Sequence, residues 1–270
     1  MRHVLIANRG EIALRILRSA RARGYRTTAI YSEADADAPH VSLADMAVCV
    51  GPAAVSASYL NIERILAAAH HSGADAIHPG YGLLSENAAF AQACLSAGLT
   101  FIGPKPDTIR RLGNKREARL AMHAAGVPIV PGYDGEDQDA ATLAEAATRI
   151  GYPVMVKAAA GGGGRGLRRV AAPSELPEAI ARARSEAEKA FGDGRLILER
   201  ALTGARPVEL QVFADAHGQG IHLGERDCSV QRRFQKVIEE APSPALTPEL
   251  RQRMGETAVA VARSADYLGA

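Results

Sequence analysis

The sequence predicts an α/β protein whose first part, roughly residues 1–103, is a doubly wound parallel sheet. Three observations predict it. Short apolar runs alternate with helical segments through this whole stretch. The first run, VLIAN (4–8), reads as a buried strand, with Val4 to Ala7 apolar without interruption. The segment after it carries Ile12, Ala13, Ile16, Leu17 and Ala20 on one stripe and meets a stop at Gly24.

The remaining elements follow in order. TTAIY (27–31) and AVCV (47–50) read as strands, 61–72 as a helix ending at Gly73, ADAIH (74–78) as a strand, AAFAQACLSAG as a helix and LTFIG (99–103) as a strand. PKPD opens a helical stretch to Gly126. GVPIVPGYDG (126–135), rich in glycine and proline, reads as a hinge. Thr142 and Glu145 have capping-box spacing and start a helix ending at Gly151. YPVMVKA is a strand, the glycine run 161–164 a loop, and LRRV a second strand. Ser174 caps a helix to about Ala190. RLILERAL (195–202) is a strand, and 208–227 reads as two strands about a glycine-containing turn. Thr247 and Pro248 open a final helix whose seam is Met254, Ala258, Val261, Ala265 and Leu268. The chain stops at Gly269-Ala270, where a helix end would turn into another strand, so a fragment of a longer protein is expected.

Composition narrows the function. Hydrophobic residues make up 47% and charged residues 23%, a globular mix. The net charge of +2 gives no field favouring nucleic acid or an anionic membrane. No run reaches membrane-spanning length, and the start is not a signal peptide. Cys49, Cys94 and Cys228 are odd in number and far apart, which reads as reduced thiols in a cytoplasmic protein. Only five of the 32 basic residues are lysine: Lys105, Lys115, Lys157, Lys189 and Lys236. A lysine here marks a place where a compact point charge suits better than a planar fork.

The loop in VMVKAAAGGGGRGLRRV (154–170) is the main motif. Gly161, Gly163 and Gly166 spell a dinucleotide fingerprint, but that site needs a helix directly after the glycines, and LRRV reads as a strand. A Walker loop needs Gly-Lys-Ser/Thr, and this one ends Gly-Arg-Gly. A glycine loop between two strands instead reads as a flap whose backbone N–H groups close over phosphate oxygens. Lys157 places a point charge on the same phosphates.

YPVMVKAAAGGGGRG resembles the glycine-loop motif of the ATP-grasp ligases, in their biotin carboxylase and carbamoyl-phosphate synthase group. ANRGEIALRI (7–16), HPGYGLLSENA (78–88) and ERDCSVQRRFQKVIEEAPSP (225–244) are similar to biotin carboxylase stretches in the same order. The resemblance covers the whole chain and implies the N-terminal part of a biotin carboxylase. It implies a Rossmann-like, pre-ATP-grasp domain over 1–113 and an incomplete ATP-grasp domain over 114–270, with a glycine-rich lid at about 131–203. Lys115 and Lys157 would contact ATP phosphates, and Gly163 and Gly164 would lie over the triphosphate. Glu199, Arg200, Ala201 and Leu202 would be the adenine hinge, Gln231 would line the nucleotide site, and Lys236 would bind bicarbonate.

The implied reaction carboxylates biotin on a carrier domain, using ATP, magnesium and bicarbonate by way of carboxyphosphate. The partners would be the biotin carboxyl carrier and a carboxyltransferase, with a possible homodimer. The family's magnesium carboxylates, catalytic arginine and general-base glutamate are expected beyond Ala270, so the isolated chain is expected to be inactive. Glu225, Asp227, Glu239 and Glu240 read as solvated or ion-paired acids, and His78 as a loop histidine, so no metal ligand is assigned. His70 and His71 lie at a helix end, where a cationic tendency suits the dipole. Pro207 and Phe234 stand where the family usually has histidine. A non-catalytic ATP-binding fragment or degenerate paralogue is the alternative reading.

Overall fold

The computed structural model describes residues 1–160, 167–232 and 235–269. The glycine loop 161–166, with the expected phosphate-covering Gly163 and Gly164, lies outside these residues, as does Phe234. The chain divides into two compact units, Met1–Arg110 and Arg111–Leu268.

In the first unit, β1 (His3–Ile6), α1 (Gly10–Ala22), β2 (Arg26–Ser32), α2 (Pro39–Leu43), β3 (Met46–Gly51), α3 (Ile62–Ser72), β4 (Ala76–His78), α4 (Ala88–Ser96) and β5 (Thr100–Phe101) follow one another. The strands form one parallel sheet in the order β3-β2-β1-β4-β5. All four residues of β1 are buried because both faces are covered. Leu5, Ile30 and Ile77 face Ile65, Phe90 and Cys94 of α3 and α4. Val4, Ile6 and Ala29 face Ala13 and Leu17 of α1. Asn61 caps α3, and the left-handed Gly73 ends it at φ 68°.

A polar network ties the loops after β1 and β2. Arg9 forks onto Asp35, with Nε 2.7 Å from Oδ2 and Nη2 2.5 Å from Oδ1. The hydroxyl of Tyr59, a residue only 1% exposed, donates to Asp35 at 2.6 Å and accepts from the Ser32 amide at 2.8 Å. The Arg9 hydrogen bonds hold the Asp35 carboxyl down from its usual 3.8 to about 2, with Tyr59 acting in the same sense.

The second unit follows α5 (Pro106–Gly113), within which the division falls. The helical stretch expected to run to Gly126 is two helices. The Asn114 side chain accepts from the amides of Arg116 and Glu117 and so starts α6 (Lys115–Ala124). The expected hinge contains a short strand, β6 (Gly132–Tyr133), on the edge of a four-stranded sheet. That sheet adds α7 (Ala140–Ile150), β7 (Val154–Ala158), β8 (Arg168–Val170), α8 (Leu176–Phe191) and β9 (Leu196–Arg200), with strand order β6-β9-β7-β8, all antiparallel.

Two expected caps are corrected. Thr142 does not start α7: its hydroxyl donates to Asp137, and the helix begins two residues earlier after Asp139. Ser174 lies in a 3-10 turn, Pro173–Glu175, and α8 starts at Leu176. In both places a local side-chain alternative, Asp137 in one and Glu175 binding the Ala171 amide in the other, reshapes the entry to the helix.

The helices cover one face of this sheet, where Leu143, Ile150, Ile180 and Leu176 pack on Val154, Val156, Val170, Leu196 and Leu198. Strand alternation therefore turns Lys157 and Glu199 to the opposite face. The remaining elements are β10 (Val208–Ala214), β11 (Gly220–Arg232), β12 (Gln235–Glu240) and α9 (Pro248–Ser264). The three strands form an antiparallel sheet in sequence order, and Thr247 caps α9 as expected. The helix stops at Ser264, so the last two residues of the expected seam, Ala265 and Leu268, lie past its end. Among the described residues, no helix is long and apolar enough to cross a membrane.

Because Asp35 ionises lower in the folded chain than in the unfolded one, its stabilisation is present above pH 4 and disappears as pH falls toward 2. The shift corresponds to about 2 kcal/mol. Acid titration of stability by urea unfolding checks this: Asp35→Asn is expected to be less stable than the parent at pH 7 and to lose less on going from pH 4 to 2.

Candidate functional site

The free face of the four-stranded sheet gathers charge. Lys157 on β7 lies opposite Ile197, and Glu199 on β9 lies opposite Met155, which makes the two ionised residues diagonal neighbours on one face. Their side chains form an ion pair between Nζ and Oε2. Arg119 of α6 reaches the other carboxylate oxygen, with Nη1 2.8 Å from Oε1. The same guanidinium donates to the Val130 carbonyl at 3.1 Å and to Asp134 at 3.3 Å. Arg119 and Glu199 are 10% and 13% exposed in their side chains, whereas Lys157 is 26% exposed.

Lys115 joins from the start of α6. Its amide donates to the Ala159 carbonyl at 2.9 Å, and Asn114 forms a β-bridge with Ala160, so the helix start is fastened to the end of β7. Burial pushes the Lys115 ammonium below its usual value; the Lys157 charge acts in the same direction, and Glu199 opposes both. Lys115 and Lys157 thus bring two ammonium groups together at the end of β7, just before the glycine-rich segment 161–166.

The expected hinge residues leave β9 here. The Arg200 amide donates to Pro131 O at 2.8 Å and the Ala201 amide to Pro153 O at 2.9 Å. Ala201 is buried and Leu202 is exposed. The Glu199 side chain has a place the sequence reading did not give it, between Arg119 and Lys157. Arg119 was missed outright. Gly132 on β6 makes the room it occupies: a Cβ there would sit 2.8 Å from Arg119 Nη2 and 2.4 Å from Leu198 O, so only glycine leaves room for the guanidinium.

Lys236 and Gln231 belong to the second sheet, where they pair in register across β11 and β12. Lys236 bonds Glu209 and lies 3.4 Å from Glu239. The hydrogen bond to Glu209 holds its ammonium above the ordinary lysine value. Arg226 lies 3.3 Å from Glu209 and 3.7 Å from Glu239. Gln231 donates to the Cys228 carbonyl at 2.8 Å. The ion pairs of Lys157 and Glu199 stay within the first cluster, and those of Lys236 within the second.

Glu209, Cys228 and Glu239 place ligand atoms within 4.8 Å of one another. They do not suit magnesium. That ion takes oxygen ligands, one of these three is a thiol, and both carboxylates are already neutralised by Lys236 and Arg226. Glu225 is ion-paired with Arg251, and Asp227 lies 3.5 Å from Arg206 and accepts from the Ser243 hydroxyl. His78 accepts from the Gly80 amide at 3.0 Å, a loop role, and burial lowers its pKa. The Pro207 carbonyl accepts from the Cys228 amide at 2.8 Å.

A parallel sheet unit followed by an antiparallel sheet whose strands β7 and β8 flank the glycine-rich segment 161–166 is the architecture of the ATP-grasp class. Residues 114–270 match the family model for the carbamoyl-phosphate synthase L chain, ATP binding domain, and residues 1–109 match that for the biotin carboxylase N-terminal domain. The chain is 54% identical over 267 residues to biotin carboxylase 2 of Bacillus subtilis (strain 168), covering 99% of this chain and 60% of that protein. It is similar to the crystal structure of a biotin carboxylase–β,γ-ATP complex from Campylobacter jejuni, at TM-score 0.96 and 48% identity over 99% of this chain and 60% of that one. The biotin carboxylase domain dimer of Hydrogenobacter thermophilus 2-oxoglutarate carboxylase, solved with MgADP, ADP and bicarbonate, gives TM-score 0.93 and 48% identity over 99% of this chain and 59% of that one. This chain belongs to the biotin carboxylase family. It spans about 60% of the length of these three matched chains.

Removing the carboxylate by Glu209→Gln is expected to bring the Lys236 ammonium back down toward the ordinary lysine value. Carbon NMR of methyl-labelled lysines through an alkaline titration reads this directly, and an unmoved Lys236 would show that Glu209 is not its partner.

Proposed function

We propose that this chain holds ATP in the ATP-dependent carboxylation of biotin, and that Lys115 and Lys157 grip the phosphates. The observation that carries the reading is the meeting of these two scarce lysines at the end of β7, where the chain enters the glycine loop. The similar Campylobacter jejuni and Hydrogenobacter thermophilus structures were solved with nucleotides, which supports the same ligand here.

In this reading the backbone of Glu199, Arg200, Ala201 and Leu202 reads the adenine edge, and the glycine loop, with Gly163 and Gly164, closes on the triphosphate. Gln231 lines the site beside Lys236. Lys236 gives two of its ammonium protons to Glu209 and Glu239 and offers the third to bicarbonate. A bicarbonate oxygen attacks the γ-phosphorus, the bond to the β-phosphate oxygen breaks, and ADP leaves carboxyphosphate behind. Carboxyphosphate breaks into phosphate and carbon dioxide, N1′ of biotin on a carrier domain bonds that carbon as its own proton passes to the phosphate, and the carboxylated biotin goes on to a carboxyltransferase. Bicarbonate and triphosphate repel, so the chain's task is to neutralise and align them and to keep water from carboxyphosphate. Because Glu209, Cys228 and Glu239 do not suit magnesium, no step is assigned to that ion through them. A homodimer and a cytoplasmic setting belong to the same proposal.

Lys157→Ala is expected to abolish measurable ATP binding in calorimetry while far-UV circular dichroism stays unchanged. Equal affinity in variant and parent would remove Lys157 from the nucleotide site.

A further inference from the structure

Glu199 is a carboxylate 13% exposed with two cationic partners, and the two differ in kind. Arg119 is fixed. It is 10% exposed and is held at once by Glu199, Asp134 and the Val130 carbonyl, in a space kept open by Gly132. Lys157 is on a flexible stem, more exposed, with Glu199 as the acceptor of its ion pair. A nucleotide phosphate that recruits Lys157 takes that partner from Glu199. A carboxylate so far out of water is destabilised when left without a cation.

We propose that Arg119 is a positioning residue of the nucleotide site: it stays on Glu199 as the resident counter-ion and so lets Lys157 pass from the carboxylate to a phosphate. The inference rests on the nucleotide reading above and assigns a role to a residue outside that reading. Arg119 touches no phosphate in this account. It acts through Glu199, by holding one oxygen of the carboxylate while the other is vacated. With Arg119 gone, the ion pair with Lys157 is the one left to Glu199 of the two described above, and the carboxylate competes with the phosphate for that lysine.

The test separates this from mere packing by removing the competitor as well as the counter-ion. Affinity for MgADP is measured by calorimetry on this chain as Arg119→Gln, Glu199→Gln and the double variant. Arg119→Gln is expected to weaken binding about tenfold, and the double variant is expected to return to within about threefold of Glu199→Gln alone. A double variant as weak as Arg119→Gln would overturn the proposal, because a packing defect is not cured by losing the carboxylate.

A second readout needs no nucleotide. The rate of Lys157 reductive methylation, followed by peptide mass spectrometry, is expected to fall in Arg119→Gln and to recover in the double variant. Unchanged labelling across the series would overturn the charge-sharing. If the parent binds no nucleotide, the nucleotide reading fails and labelling alone decides the role of Arg119. Should Arg119→Gln not fold, Arg119→Lys carries the test. Because it keeps the charge, affinity within about threefold of the parent supports the account, and a tenfold loss contradicts it.

Discussion

One carboxylate organises the open face of the four-stranded sheet. Glu199 lies on the open face of the antiparallel sheet, and its two oxygens are divided between Arg119 and Lys157. Everything around it serves that division. The packed helices α7 and α8 fill the other face, which fixes the strand alternation that points Lys157 and Glu199 the same way. Gly132 opens the gap through which the guanidinium enters, and Asn114 starts α6 so that Lys115 and Arg119 project from its first turns. A low-dielectric face can hold this much charge only because the charges are paired and hydrogen-bonded.

The first unit solves a parallel problem in a different way. Its sheet is covered on both faces, so polar chemistry gathers in the loops at the strand ends, where Arg9, Asp35 and Tyr59 lock the turns after β1 and β2. In the three-stranded sheet, Lys236, Arg226, Glu209 and Glu239 form a balanced set whose two cations and two carboxylates neutralise one another through directed ion pairs.

Much of this was legible in the sequence. The uninterrupted apolar run at residues 4–7 and the glycine stops gave the parallel sheet, and the strand-like LRRV after the glycine run separated this site from a dinucleotide fold; β8 does follow that run. The scarcity of lysine drew attention to Lys115 and Lys157, which the structure brings together. Arg119 was not legible, because a lone arginine in an arginine-rich chain carries no mark, and its partner Glu199 is 80 residues away. The Thr142 and Ser174 caps failed because Asp137 and Glu175 outcompete them locally. The strand in the Gly/Pro-rich segment failed because only its pairing to β9 makes it a strand.

A crystal structure of this chain with MgADP tests the central claim most directly. The account requires Lys157 Nζ on a phosphate oxygen, with Arg119 still bound to Glu199. Nucleotide bound while Lys157 remains on Glu199, or Arg119 drawn onto the phosphate in its place, would contradict it.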